Sequence, residues 1–456
     1  MSIENLQAQL GNALLFPDNE AFDELRLGWN RTLEHRPAAI LLPSNAEQIA
    51  LGVRYAREAG LGVAAHLTGH GPQQAAEQAL LIVTRNMHAV TVDPRAQTAQ
   101  AEAGARWHHV VEKSTPYGLA PVLGTSPHVG VVGYTLGGGL SWLGRRYGFA
   151  SDSVRSIELV TADGQLRRAS PTEHPDLFWG LRGGGGNFGI VTAIEFALYP
   201  VARVYGGHLT YPGELVHEAL RFFRAWSAQL PEQITSSITI FKFPDLPQLP
   251  PELRGRIQVE LHACVTEPSM GPALIQPWLD WHTPQKNAMR ELPFSQIGEI
   301  SNDPVDPRAA YFSSAMFDTL SDAALDTLEQ YAVAEQSPLF FTELRHLGGA
   351  ISRGDPTSSA IGNREAQYYL RLAAPSPTEA ARNRVQGYIG QLLEQLRPER
   401  RSSVYLNFML GSEAQQRVQD GFPPEHFERL LELKETYDPD NLFRYSYQLV
   451  RETTVH

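Results

Sequence analysis

The chain has 456 residues, of which 42% are hydrophobic and 19% charged, with a formal net charge of −12 and one cysteine, Cys264. The negative balance argues against the nucleic-acid backbone as a main partner. A single cysteine excludes an intrachain disulfide and a multi-cysteine zinc site, and no run approaches the roughly 18 apolar residues of a membrane-spanning helix. The start, MSIENLQAQL, lacks the basic region and long apolar core of a secretory leader, so a cytoplasmic protein is expected.

Residues 38–42 (AAILL) read as a buried strand. Ser44-Asn-Ala-Glu47 has the pattern of a capping box. Ile49, Val53 and Ala56 then recur at helical spacing, with Gly60 as the stop. Residues 61–66 make a second strand, so this β-α-β unit predicts a parallel pair. A tight loop, Leu67 to Pro72, leads to another strand at 79–84. Hairpins are expected at Asp93-Pro94 and at Asp163-Gly164. Leu140 to Arg146 suits one or two helical turns closed by Gly148, and Pro175 to Arg182 a short helix.

Between these elements lies GTSPHVGVVGYTLGGG, Gly124 to Gly139, with six glycines. Glycine lets other groups approach the backbone closely. Two readings fit: a mobile linker, or a packed loop wrapped around a large ligand. Val129, Val131, Val132, Tyr134 and Leu136 favour the packed loop, and a helix or strand interior is not expected here. A formal G-x-G-x-x-G follows at Gly184, Gly186 and Gly189. The dinucleotide fingerprint needs a strand before it and a helix after it. Here the order is reversed, so a Rossmann turn is not expected.

From about residue 206 the texture changes. Strands are expected near 234–242, 256–265, 309–317, 338–346, 366–373 and 402–409. Helices fit 214–229, 321–335, 378–396 and 426–436, and 244–254, with four prolines, reads as a loop. This pattern predicts an α+β domain on a mostly antiparallel sheet.

Four ordered segments carry a resemblance. They are the strand-helix-strand unit ending in TGHG, the glycine stretch, the block YGFASD…LVTADG…HPDLFWGLRGGGGNFGIVT, and the ending YLNF…YDPDNLFR…Q. Together they resemble the flavin-dependent oxidases of the vanillyl-alcohol oxidase superfamily, and within it the berberine-bridge-enzyme-like group. The resemblance implies a PCMH-type FAD-binding domain over 1–205, completed by 405–456. A substrate domain over 206–404 would roof the flavin.

Family pattern makes His70 the residue joined covalently to the flavin; otherwise it merely caps a loop. Ser126 stands where the family has a second attachment cysteine. A hydroxyl lacks a thiolate's reactivity, so one covalent link is expected. His66 replaces a frequent arginine. The remaining FAD contacts implied are Thr68, Gly69 and Gly71, then Thr125, Val129, Gly130, Gly133, Tyr134, Gly138 and Gly139. Gly148, Ala150 and Asp152 follow, with Gly189, Ile190, Val191 and Asn441. No metal is expected, because His66 and His70 flank Thr68-Gly69 and not a helical zinc motif.

Alcohol oxidation needs a base for the hydroxyl proton. Tyr405 matches a tyrosine the family uses; a packed strand aromatic is the other reading. Glu343, His346 and Tyr369 are further candidates. On a strand, Glu343 and His346 face opposite sides. The resemblance thus implies an FAD oxidase acting on an alcohol group of a small molecule, with dioxygen reduced to hydrogen peroxide. Amine oxidation or oxidative ring closure uses the same flavin, and a flavin-storing protein without turnover is a third reading.

Overall fold

Short all-apolar runs and one amphipathic helix build the first sheet. The computed structural model describes residues 3–71 and 74–451. Pro72, at the end of the TGHG loop, lies outside them. Strands β1 (Leu14–Leu15), β2 (Ala39–Leu41), β3 (Val63–His66) and β4 (Leu80–Val83) stack in the order β1-β2-β4-β3. The β-α-β unit is parallel as expected, but β4 lies between β2 and β3 and pairs with both. The helix Ala46–Glu58 buries Ile49, Val53 and Ala56. Its cap is one residue later than expected. Asn45, in an extended conformation, accepts the Gln48 N–H, and the Ser44 N–H reaches the Gln48 side chain at 2.8 Å. The reciprocal capping partner is therefore Gln48 and not Glu47.

The second sheet contains β5 (Val90–Asp93), β6 (Thr98–Glu102), β7 (Val154–Val160), β8 (Leu166–Ala169) and β9 (Ile190–Ala197), in the order β5-β6-β9-β7-β8. Both expected hairpins are present. The C-terminal helix Pro424–Tyr437 packs Phe427, Leu430 and Leu431 into the same core as Ile157, Ile194 and Phe196.

The third sheet has eight strands: β10 (Arg203–Pro212), β11 (Ile234–Lys242), β12 (Ile257–Val265), β13 (Lys286–Asn287), β14 (Arg290–Pro293), β15 (Ala310–Phe317), β16 (Phe341–His346) and β17 (Tyr368–Pro375). Every pairing is antiparallel. Alternation along each strand separates two faces. Leu209, Ile238, Ile240, Leu261, Leu344 and Leu370 share a buried core with residues of the helices Val216–Ser227, Gly271–Trp281, Asp322–Val333 and Glu379–Gln395. The opposite face carries His208, Thr239, Glu260, His262, Glu343, Arg345 and Arg371, and it lines a cavity.

Two segments differ from expectation. Residues 402–409 form no strand; Leu406–Phe408 is one 3-10 turn. Its side chains hold it, because Tyr405 and Asn407 bond across to the glycine stretch. That stretch contains a helix, Val131–Leu136. Val131, Thr135 and Leu136 bury one side of it, and the Thr135 hydroxyl donates to the Val131 carbonyl. No described helix is long and apolar enough to cross a membrane.

Candidate active site

The polar face of the third sheet and the glycine-rich segments of the first two enclose a cavity of about 1180 Å³. That exceeds the ~300–1,000 Å³ of a site for one drug-sized ligand, leaving room for a cofactor and a second molecule. Its cofactor-like wall is mostly backbone. His66, Thr68, Gly69, His70, Gly71, Thr125, Ser126, Val129, Gly130, Gly133 and Tyr134 line it, as do Gly189, Ile190 and Val191. A Cβ added at Gly133 would meet nothing within 4 Å, and at Gly186 only the Ser446 hydroxyl at 3.9 Å. These glycines face open space and leave a cradle that side chains would fill. The cradle fits a large ligand read through backbone N–H groups.

His70 is fixed by a close backbone approach. Gly69 has φ +62, and a Cβ there would lie 2.3 Å from the Gly28 Cα. With no side chain at either position, the Trp29 N–H bonds the Thr68 carbonyl at 2.7 Å. The Trp29 ring then stacks on His70 with centroids 4.7 Å apart. Burial, with Arg106 and His128 nearby, lowers the His70 imidazole to about 4. It is neutral at pH 7, and its Nδ1 is buried with no hydrogen-bond partner among the described residues. A neutral imidazole with a free nitrogen is a nucleophile, which suits attachment to a flavin. His66 gives no fixed positive charge: burial lowers its pKa, and its Nε2 donates to the Leu25 carbonyl at 3.0 Å.

The catalytic candidates separate. Tyr405 lies behind the glycine wall, where its hydroxyl oxygen accepts the Gly139 N–H at 2.7 Å and the Asn407 side-chain N–H at 3.2 Å. Burial outweighs these two donors and pushes its pKa well above the ordinary tyrosine value, so the phenol is protonated at neutral pH. Tyr369 packs against Tyr405 and Phe408, its hydroxyl buried and unpartnered among the described residues. Glu343 does reach the cavity. Burial alone would raise its carboxyl, but Arg345 and Arg371 outweigh burial and hold it at about 2. It is an anion at neutral pH and a poor proton acceptor. His346 faces away from the cavity: its Nε2 lies 2.9 Å from Arg145 and its ring stacks on Tyr368. Burial and Arg145 lower it to about 3. The strand alternation of β16 puts it on the helix-covered face, so it does not share a site with Glu343.

Several expected cofactor residues brace the wall without lining it. Gly139 receives the Ala150 N–H at 3.0 Å, and Gly138 the Ser151 N–H at 2.9 Å. Gly148 (φ +87) ends the helix Gly144–Tyr147. Asp152 binds Arg364 at 2.6 Å and accepts the Phe149 N–H. Asn441 is exposed, in a turn with its N–H on the Asp438 carbonyl.

Four residues escaped the sequence reading: Trp29, Arg345, Arg371 and Asn407. Arg345 was within reach, since it shares a strand face with Glu343 two residues away. Arg371 joins them only through the pairing of β16 with β17, which sets Glu343 opposite it. Trp29 and Asn407 arrive through chain crossings that leave no sequence periodicity.

Residues 37–170 match the family model "FAD binding domain", and residues 404–447 match "Berberine and berberine like". The chain is 28% identical to the FAD-linked oxidoreductase YgaK of Bacillus subtilis, over 97% of this chain and 98% of that one. It is 34% identical to (R)-6-hydroxynicotine oxidase of Paenarthrobacter nicotinovorans, over 43% of this chain and 44% of that one. The fold is shared with Physcomitrella patens BBE-like 1, at TM-score 0.86 and 19% identity, covering 99% and 100% of the two chains. It is shared too with xylooligosaccharide oxidase of Myceliophthora thermophila, at TM-score 0.83 and 23% identity, covering 97% and 98%.

Proposed function

Because the chain is an FAD-linked oxidoreductase of the berberine-bridge-enzyme-like group, we propose that it carries FAD through one covalent bond to His70 and oxidises an alcohol group of a small molecule. The observation that carries the attachment is the His70 ring itself: neutral, half-buried and lining the cavity beside an open glycine cradle. FAD held in the glycine cradle by His70 would supply a hydride acceptor and an electron route to dioxygen, with hydrogen peroxide as the product in this reading. Residues 1–205 with 405–456 form the FAD half in this reading, and 206–404 the substrate half; the self-contained apolar core around Ile238, Leu261 and Leu344 supports that division, while Cys264, Phe294 and Ile300 of the second part pack into the core of the first.

The chain's own residues orient the substrate and move its proton. Tyr405 takes the hydroxyl proton in this reading; the two N–H donors offset only part of the burial that keeps its phenol protonated. Glu343 stays ionised and accepts hydrogen bonds. Apolar walls from Phe241, Phe341 and Phe408 exclude water.

The test is direct. Purified protein is precipitated in acid, and the chain is weighed by mass spectrometry. Flavin mass on the chain, released in His70→Ala, is the expected result. Free flavin from the unmutated protein overturns the covalent assignment. Anaerobic screening with alcohols, sugars and amines then identifies which class bleaches the flavin. Bleaching by amines alone overturns the alcohol assignment.

A further inference from the structure

Two arginines in the cavity wall are tied to one carboxylate. Arg345 Nη2 donates to Glu343 Oε1 at 2.8 Å, and Arg371 Nε lies 2.9 Å from Glu343 Oε2. Among the described residues only Oε1 accepts hydrogen bonds, from Arg345; Oε2 faces Arg371 Nε in a charge contact without hydrogen-bond geometry, and only part of either guanidinium is used. Arg345 Nη1 is buried with no partner among the described residues. The two terminal nitrogens of Arg371 make no hydrogen bond among the described residues, and neither is a buried orphan. They therefore open onto the cavity that Arg371 lines. A guanidinium offers five N–H donors in a planar fork, and a buried donor left unmade is costly. The open Arg371 donors are placed to receive acceptor oxygens of a bound molecule.

The fork is held rigidly. The Arg345 guanidinium lies over Trp142 at 4.8 Å, and that of Arg371 between Phe341 at 4.7 Å and Phe408 at 5.3 Å. Two other acids stand on the wall: Glu260 pairs with His262 at 3.2 Å, and Asp303 accepts from the Thr125 hydroxyl and adds to the negative field at Arg371. Neither hydrogen-bonds the terminal nitrogens of Arg371 among the described residues. The neighbouring wall is aromatic, with Phe241, Phe243, Phe312 and Phe340.

The geometry points to a carboxylate-binding subsite formed by Arg345 and Arg371, so that the substrate is a hydroxylated acid with an apolar or aromatic body. This deepens the proposed function and rests on it for the oxidation. The planar two-oxygen anion matches the fork bidentately, the rings take the body, and the hydroxyl carbon is left for the flavin.

The experiment is isothermal titration of the purified flavoprotein with benzoate and with benzamide, a neutral molecule of the same shape. Charge-assisted hydrogen bonds predict a preference for benzoate of about tenfold or more. Arg371→Met is expected to remove the preference while leaving benzamide affinity unchanged. Equal affinities in the unmodified protein overturn the subsite, whatever the variant does. Glu343→Gln gives an opposite sign: both arginines lose their internal anion, so benzoate is expected to bind more tightly and to raise Tm by more than in the parent. Weaker benzoate binding in a folded Glu343→Gln protein overturns the assignment. The two readings fail separately. Protein without flavin that still prefers benzoate sinks the flavin assignment and keeps the subsite. Yellow protein with no preference does the reverse.

Discussion

The two walls of the cavity are made from different materials. The wall from the first two sheets is mostly backbone and glycine, with three histidines, His35, His66 and His70, that burial keeps neutral, and no ion pair at its centre among the described residues. The wall from the third sheet is side chains: arginines, a glutamate, histidines and phenylalanines standing on antiparallel strands. A backbone wall recognises features every copy of a cofactor has, and it needs a fixed local sequence to shape each turn. A side-chain wall recognises a particular molecule, and its residues can change while the sheet under them stays. Only the third sheet's cavity wall therefore carries information about the substrate.

One expected effect breaks the backbone wall alone. Gly133 sits in the helix Val131–Leu136 facing open cavity. Gly133→Leu should weaken FAD binding by roughly 100-fold or more through overpacking against the ligand. Leucine is a better helix former than glycine by ~1 kcal/mol, so Tm of the flavin-free protein should not fall. A flavin titration with a parallel melt checks both, and unchanged FAD affinity would show that the cradle holds something else.

Next comes the charged wall. Glu343→Gln leaves the buried Arg345 and the half-buried Arg371 without their anion, a loss expected at ~3–5 kcal/mol. The parent's carboxyl is held at about 2 against an ordinary 4.5. Its folded pKa is depressed, so its contribution, on the order of 3 kcal/mol, is present above about pH 4.5. It is lost as pH falls through about 2. Urea midpoints measured between pH 5 and pH 2 should drop more steeply for the parent than for Glu343→Gln. Parallel slopes would place the ion pair outside the stability of the fold.

Where the walls meet, Tyr405→Phe should slow anaerobic flavin reduction by roughly 100-fold, within the range for general-base catalysis, with FAD retained. The same change removes the acceptor of the Gly139 N–H, so an unaltered reduction rate would leave Tyr405 a purely structural brace. The smallest effect adds a contact. Ser126 lines the cavity, 9% exposed, and Ser126→Cys in a His70→Ala background should restore some covalently held flavin. A denatured chain without flavin mass means that the loop does not present its side chain to the ring.

Much of this architecture was legible without coordinates. The helix 379–395, the hairpins at Asp93 and Asp163, and the alternation separating Glu343 from His346 follow from local periodicity, because each is decided by neighbours within a few residues. The glycine cradle was legible for the same reason: a turn that needs no side chain must say so in its own sequence. The cap at Asn45 was missed by one residue, since Ser44 and Asn45 are both good caps and only the extended backbone at 45 chooses. Residues 402–409 looked like a strand because Val404, Tyr405 and Phe408 have strand character. Their partners, Gly139 and Tyr134, lie more than 260 residues away. The Glu343–Arg371 pair, the stacking of Trp29 on His70 and the open face of the two arginines were likewise settled by register and chain crossing. Those long-range pairings are fixed by the whole sheet, and no single stretch of sequence contains them.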